Sequence, residues 1–345
     1  HRVLRVDLRE REAVEAAARA LRAEEGLDGV FTAGTDFSTT VAWVAERLGL
    51  PGIPYETALN ATDKARMRAA LERAGVPSPR FFTVNAGAVP EASTEGGGSP
   101  AEGRGAPASG RTSPFAVPPG LSFPLVVKPV DNMGARGVRR VDTPEELDQA
   151  VADALRQSRT GEAIVEQYLE GPELSLDAVV HDGTVSVCGV ADRHICFPPY
   201  FVEMGHTMPS SLDAASLRDA EEVFVRGIHA LGIREGAAKG DVKVTPQGPV
   251  IGEIAARLSG GYMSGWTYPL SSGVEVTEAA LRIAVGQAPG RLEPKRAWVS
   301  AERAFLSIPG RVAALEGLDQ ARGEPWVTDL FARAAVGQGV DLPGN

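Results

Sequence analysis

Cysteine is scarce in this chain of 345 residues, with only Cys188 and Cys196 present. Two thiols cannot form a disulfide framework, and no second pair completes a zinc site. A reducing, cytoplasmic setting with two buried thiols is expected. There is no uninterrupted apolar run of membrane-spanning length and no signal-peptide core at the start, so no membrane association is expected. Basic charge is short as well. Against 45 Asp and Glu stand 35 Lys and Arg, a formal charge of −10. That balance argues against non-specific nucleic-acid binding, which rests on neutralising phosphates. An anionic ligand must therefore be held by local basic groups. No Ser-His-Asp or Cys-His spacing points to covalent catalysis. The chain opens on His1, not Met, and runs almost at once into an amphipathic helical pattern, so an upstream strand is expected to lie outside it.

What remains is the composition of a soluble globular protein, 43% hydrophobic and 23% charged, long enough for two or three domains. Residues Arg11 to Arg22 repeat Ala, Val and Leu at helical spacing. Gly29-Val30-Phe31 then reads as a short buried strand, and Thr35 to Leu48 as a second helix stopped by Gly49. Helix, strand, helix suggests part of a doubly wound α/β layer. Asp63 to Ala74 reads as a helix ended by Gly75. From Ala86 to Gly120 the chain becomes Gly, Ser, Pro, Ala and Glu, too polar to offset its ordering entropy, and a disordered insertion is expected.

Order returns with the strand Pro124 to Lys128, a Gly-bearing loop from Asp131 to Gly137, and a strand at Val138 to Val141. Thr143-Pro144-Glu145-Glu146 is a capping box opening a helix. Strands follow at Ala163 to Glu166 and Leu174 to Val180, the latter turning at Asp182-Gly183 into Val185 to Val190. Leu217 to Leu231 reads as a helix.

The segment GDVKVTPQGPVIGEIAARLSGG reads as two strands joined by a three-residue hairpin closed by Gly248. In that register Val244 faces Val250 and Asp241 faces Glu253. Two opposed carboxylates repel and destabilise a sheet; a divalent cation between them removes the penalty, and hard oxygen ligands favour Mg²⁺. The other reading turns one or both to solvent, where repulsion is screened. The Arg257, Gly260 and Gly261 that follow favour a site, because an arginine beside a Gly pair suits an anion.

Taken in order, LGLPG, DKARMRAALERAGVPSP, FPLVVKPVDNMGARGV, IVEQYLEGPELSLDAVV and GDVKV…GEIAARLSGG resemble an ATP-grasp enzyme from about Leu50 to Gly286. Each motif alone is weak, and their conjunction is specific. The resemblance implies two α+β lobes clasping ATP, preceded by a partial α/β pre-ATP-grasp domain. Boundaries follow: 1–58 for that partial domain, 59–290 for the ATP-grasp domain, and 291–345 for a small C-terminal region whose abrupt end suggests truncation. Within the middle part, 84–120 is the disordered insertion, 123–190 the lid lobe and 191–290 the metal and substrate lobe.

The resemblance also implies roles. Lys64 and Lys128 match the two phosphate-holding lysines, and the loop with Gly134 and Gly137 the flap over the triphosphate. Glu166, Gln167 and Leu169 match the hinge that receives adenine, and Glu173 the ribose-binding carboxylate. Asp241 and Glu253 match the ligands of Mg²⁺ (or Mn²⁺), and Arg257 the arginine on the phosphoryl group, catalytic together with Lys128. The family commonly has Asn where this chain has Ala255, so one metal ligand is missing or replaced by water. Arg193, Glu203 and His206, with Gly260 and Gly261, lie where such ligases bind substrates. Arg193 suits a carboxylate, and Glu203 or His206 could orient or deprotonate an amine. The implied activity joins a small-molecule carboxylate to an amine through an acyl phosphate, as in amino-acid ligases, releasing ADP and phosphate. Two alternatives stand beside it: carboxylation through carboxyphosphate, as in biotin carboxylases, and a non-catalytic ATP-binding sensor. A homodimer is left open, and nothing in the residues names the two substrates.

Overall fold

The computed structural model describes residues 2–88, 115–199, 201–305 and 309–340. They fall into two units, His1–Arg303 and Ala304–Asn345. In the first, four helices come before any strand, beginning with α1 (Arg11–Glu25), α2 (Ser38–Leu48) and α3 (Tyr55–Asn60). Gly49 ends α2 in the left-handed conformation, φ 62°, a shape glycine adopts without a Cβ penalty. The strand expected at Gly29 to Phe31 does not form. The only pairing there is one parallel bridge, Ala33 to Leu258, while Val30 and Phe31 line a cavity with Val41, Ala42 and Ile283. The apolar run marked a buried surface, but no neighbouring ladder takes its backbone. Among the described residues of 1–58 no α/β layer is therefore seen.

Helix α4 (Lys64–Arg73) starts at the N-cap Asp63, whose side chain accepts from Arg66 N. Next comes a four-stranded antiparallel sheet in the order β1 (Phe81–Asn85), β4 (Glu162–Gln167), β2 (Leu125–Pro129), β3 (Arg139–Val141). Helix α5 (Pro144–Gln157) covers it. Its cap is the expected box with one change: Thr143 Oγ1 accepts from Glu146 N, and Glu146 returns the bond to Asp142 N. Leu125, Val127, Leu147, Val151 and Val165 form the core between sheet and helix. Most of the expected insertion lies outside the described residues, but its edges are ordered. Val84 is buried in β1, and Phe115 and Val117 pack on this core.

The larger sheet has six antiparallel strands, β10-β7-β6-β5-β8-β9. These are β5 (Glu173–His181), β6 (Thr184–Cys196), β7 (Val202–Met208), β8 (Gly236–Thr245), β9 (Gly248–Ala255) and β10 (Ser300–Arg303). The lobe boundary expected at 190 is thus misplaced, because β5 and β6 belong to this sheet; the break falls between Gln167 and Glu173. The boundary at 290 moves as well, since β10 closes this sheet. Alternation divides its two faces. Leu174, Leu176, Ala178 and Val180 pack against Phe224 and Ile228 of α6 (Ala214–Leu231) and Leu71 of α4. The opposite face is apolar at one end, where Val179 and Ala237 meet Ala279, Ala280 and Ile283 of α8 (Val276–Ala284). Its other end carries Glu173, Ser175 and Asp177. A short helix, α7 (Tyr268–Ser272), comes just before α8, and Tyr268 Oη donates to Ser175 O.

The second unit holds a two-stranded ribbon, β11 (Gly310–Arg311) with β12 (Gly339–Val340), and the short helix α9 (Leu318–Arg322). From Val327 to Val340 only the last two residues are in a strand.

Candidate active site

The charged end of the large sheet is one rung of cross-strand partners. Glu302 lies opposite His206, His206 opposite Arg193, Arg193 opposite Glu173, and Glu173 opposite Lys243. Directly opposed side chains share a face and interact, so the sheet gathers these groups from five strands with little loop contribution. Arg193 joins them. It bonds Glu173 and Glu203, and its Nη1 lies 3.1 Å from Asp241 Oδ2. Lys243 holds the second oxygen of Glu173 at 3.1 Å.

The next rung brings Asp241 between Ser175 and Glu253. The acid pair faces as the sequence predicts, but by another route. The hairpin closes over two residues, pairing Thr245 with Gly248 and Val244 with Pro249. That register alone would misalign the acids. A bulge at Gly252 inserts one extra residue and restores the Asp241–Glu253 pairing. The bulged carbonyl is not left idle, for Gly252 O accepts from Arg68 Nη2 at 2.5 Å.

Repulsion between the acids is relieved by cations. Asp241 accepts from Lys239 and Ser175 on one oxygen and meets Arg193 on the other. Burial opposes its ionisation, yet Arg193 and Lys239 hold it far below the usual carboxylate range. Glu253 has Lys64 Nζ at 3.8 Å. Burial pushes its carboxyl up, and Lys64 and Lys239 outweigh this and lower it. Among the described residues Glu253 makes no short hydrogen bond through its carboxylate, which leaves its oxygens able to take a further cation.

The smaller sheet supplies the opposing cations. Glu166, buried on β4, is held between Arg68 Nε at 2.8 Å and Lys128 Nζ at 2.6 Å. Burial raises this carboxyl, but Arg68 and Lys128 pull it below its ordinary value. Burial lowers Lys128, and Glu166 only partly offsets it. Lys64 donates to Asn132 O at 2.7 Å, which ties the loop 131–138 to α4. Asp131 anchors the same loop by accepting from Arg159 N and Thr160 N, both at 2.9 Å. Gly134, Ala135 and Gly137 all have left-handed φ there. The Gln167 N–H is taken by Arg80 O and that of Tyr168 by Pro124 O, so of the hinge amides expected for a ligand, Gln167 is engaged within the protein.

Arg257 stands apart. Its Nη1 donates to Leu258 O at 2.8 Å. It lines the apolar cavity beside α2 and α8, with Ala42, Ile53 and Glu235, a lining that does not include Lys64, Lys128, Asp241 or Glu253. The loop 259–261 is instead fixed by Asp177, fully buried, which accepts from Ser259 N, Ser259 Oγ and Ser264 Oγ. Gly260 packs on Gly34, where an added Cβ on the latter would come within 2.9 Å. Gly261 sits beside Glu203 and Glu302.

Sequence reasoning missed Arg68, Lys239, Lys243, Asp177 and Glu302. Arg68 follows Lys64 by one helical turn, a shared face that could have been read. Lys239 and Lys243 flank Asp241 at the strand period of two, which was equally available. Glu302 lies 96 residues from His206 on a four-residue strand, and no local signal marks it.

Two clusters of opposite charge on two sheets, joined through Lys64 and a glycine-bearing loop, define a nucleotide-clasping architecture. The comparisons agree. Residues 121–265 match the ATP-grasp domain family. An L-amino acid ligase from Bacillus licheniformis shares the fold with a TM-score of 0.79 at 23% identity, over 98% of this chain and 78% of that one. Carnosine synthase 1 of Gallus gallus is 30% identical over 348 residues, 94% of this chain and 35% of that protein. An uncharacterized protein of Sinorhizobium fredii is 25% identical over 332 residues, 95% of this chain and 63% of its own length. The chain thus spans less than two thirds of these curated relatives. The fold is that of ATP-grasp proteins, and residues 121–265 carry the match to the ATP-grasp domain family.

Proposed function

We propose that this protein is an ATP-dependent ligase that joins the carboxylate of one small molecule, an amino acid by preference, to the amine of another. The observation that carries this reading is the approach of Lys64, beside Lys128 and Arg68, to Glu253 of the acid pair. Phosphate oxygens need compact cations, which lysines provide, and a metal on those phosphates needs hard oxygen donors. Glu253 keeps open oxygens and Asp241 faces it, so this pair fits Mg²⁺; Asp241 would exchange one of its present cations for the ion. Bound there, magnesium would neutralise phosphate charge. Likeness to carnosine synthase 1 and to an L-amino acid ligase supports amino-acid substrates.

In the proposed reaction a substrate carboxylate oxygen attacks the γ-phosphorus of ATP, and the bond to the ADP oxygen breaks. The amine nitrogen then attacks the acyl carbon, phosphate leaves, and the nitrogen loses a proton. Lys64 and Lys128 neutralise phosphoryl charge that spreads in the transition state. Glu166 aims the Lys128 side chain and opposes the pull of burial on its charge. The loop 131–138 excludes water that would hydrolyse the acyl phosphate. Arg193 positions the acids and is fully ion-paired, so its task is scaffolding more than substrate capture.

ADP release measured with ATP, Mg²⁺ and a panel of amino-acid pairs tests this. Release that needs two amino acids, and falls by about 10²–10³ in Lys128→Met, is expected. Release driven by bicarbonate, or nucleotide binding with no turnover on any pair, would overturn it.

A further inference from the structure

We propose that Glu203, His206 and Glu302 form a second metal site, separate from the Asp241–Glu253 pair and selective for a divalent transition ion such as Zn²⁺. The three residues bring one ligand atom each to within 4.8 Å of one another. His206 is 1% exposed, and its Nε2 is buried with no hydrogen-bond partner. A buried polar atom without a partner calls for an explanation. The other ring nitrogen supplies one, since Nδ1 lies 2.6 Å from Glu302 Oε1. An Nδ1–H donated to that carboxylate fixes the tautomer and leaves a bare lone pair on Nε2, the arrangement by which carboxylates prepare histidines to bind metals.

The lone pair has a matching ligand. Glu203 Oε2 is 3.9 Å from Nε2, and one ion at about 2.0–2.2 Å from each spans that gap. Glu203 and His206 are three apart, which in a regular strand would place them on opposite faces. The bulge between His194 and Ile195 skips Met204 and turns both to the face of Arg193. Two further contacts hold the cradle. Thr267 Oγ1 donates to Glu302 Oε2 at 3.2 Å, and Arg193 grips Glu203 at 2.8 Å. Gly261, in the left-handed conformation, keeps the space between the carboxylates clear. An added Cβ there would lie 3.3 Å from Glu203 Oε1 and 3.4 Å from Glu302 Oε1.

Imidazole with carboxylate suits Zn²⁺, Mn²⁺ or Co²⁺, whereas magnesium prefers oxygen alone. His206 and Glu203 are the direct ligands, Glu302 orients the ring, and water fills the remaining positions. The site needs no nucleotide, so it stands apart from the ligase reading.

Isothermal titration of the intact, nucleotide-free protein with Zn²⁺ in millimolar Mg²⁺ tests the proposal, with bound metal counted after dialysis. One zinc equivalent is expected in the unaltered protein and in Asp241→Asn. It should be lost in His206→Ala, and the isosteric Glu302→Gln should weaken it about 10–100-fold, with circular dichroism confirming that each variant is folded. Zinc retained by folded His206→Ala, zinc lost in Asp241→Asn but kept in His206→Ala, or no binding to the unaltered protein would each overturn it.

Discussion

Arg68 shows how much a single buried residue determines here. Its side chain is fully buried, bonds Glu166 through Nε, and reaches the bulge carbonyl of Gly252 through Nη2. One guanidinium thus connects the smaller sheet to the kink that aligns Asp241 with Glu253. Removing one partner of a buried pair leaves an uncompensated charge, at about 3–5 kcal/mol. Arg68→Ala should lose about that much in urea unfolding, while Arg68→Met combined with Glu166→Gln should lose clearly less. Equal losses would mean that Arg68 acts by packing alone. Asp177 is a second such residue. Burial raises its carboxyl, against three donors from Ser259 and Ser264. Its sequence neighbours are ordinary strand residues, and the donors come from a loop more than 80 positions on, so no spacing rule could have found it. Lys64 and Lys128 were readable because each sits at an element boundary with a motif around it. The buried network behind them was not, because pairing across sheets leaves no local trace.

At the scale of elements, the helices and the hairpin acids followed from pattern, while the errors came from bulges and missing ladders. Period two finds strands, but the extra residue at Gly252 changes which side chains face each other, and only the folded register shows it. β7 carries Glu203 and His206 at a spacing that would put them on opposite faces of a regular strand, and its own bulge brings them to one face. Glycines inside strands mark where such elements meet. Gly240, next to Asp241 on β8, lies against the ring of Phe224 of α6, where an added Cβ would approach to 2.4 Å. Phe224 is itself fully buried and has no room to move aside. Gly240→Ala should therefore cost about 1–3 kcal/mol, seen as a lower melting temperature. It should also weaken nucleotide binding, because the strand that carries Asp241 must shift. An unchanged melting temperature would show that the α6 contact is soft.

Across the molecule, the two sheets carry buried carboxylates whose folded state resists protonation. Burial pushes Glu166, Glu203, Asp241 and Glu253 up, yet in each the neighbouring cations win and hold the carboxyl below its ordinary value. The sign of the linkage follows. Such groups bind protons more readily in the unfolded chain, so their stabilisation is complete above the unfolded values near about 4. It drains away as pH falls through the lower folded values. Asp177 runs the other way, its raised carboxyl favouring the fold more in acid, but it is one group against four. Urea midpoints should therefore hold steady from neutral pH to about 5 and then fall steeply towards pH 3. Asp241→Asn removes one of the four, so its midpoint should fall less steeply even though it begins lower. Midpoints that stay flat or rise in acid would mean that the cations do not offset burial, and the charged rung of the large sheet would then be a strain on the fold instead of its support.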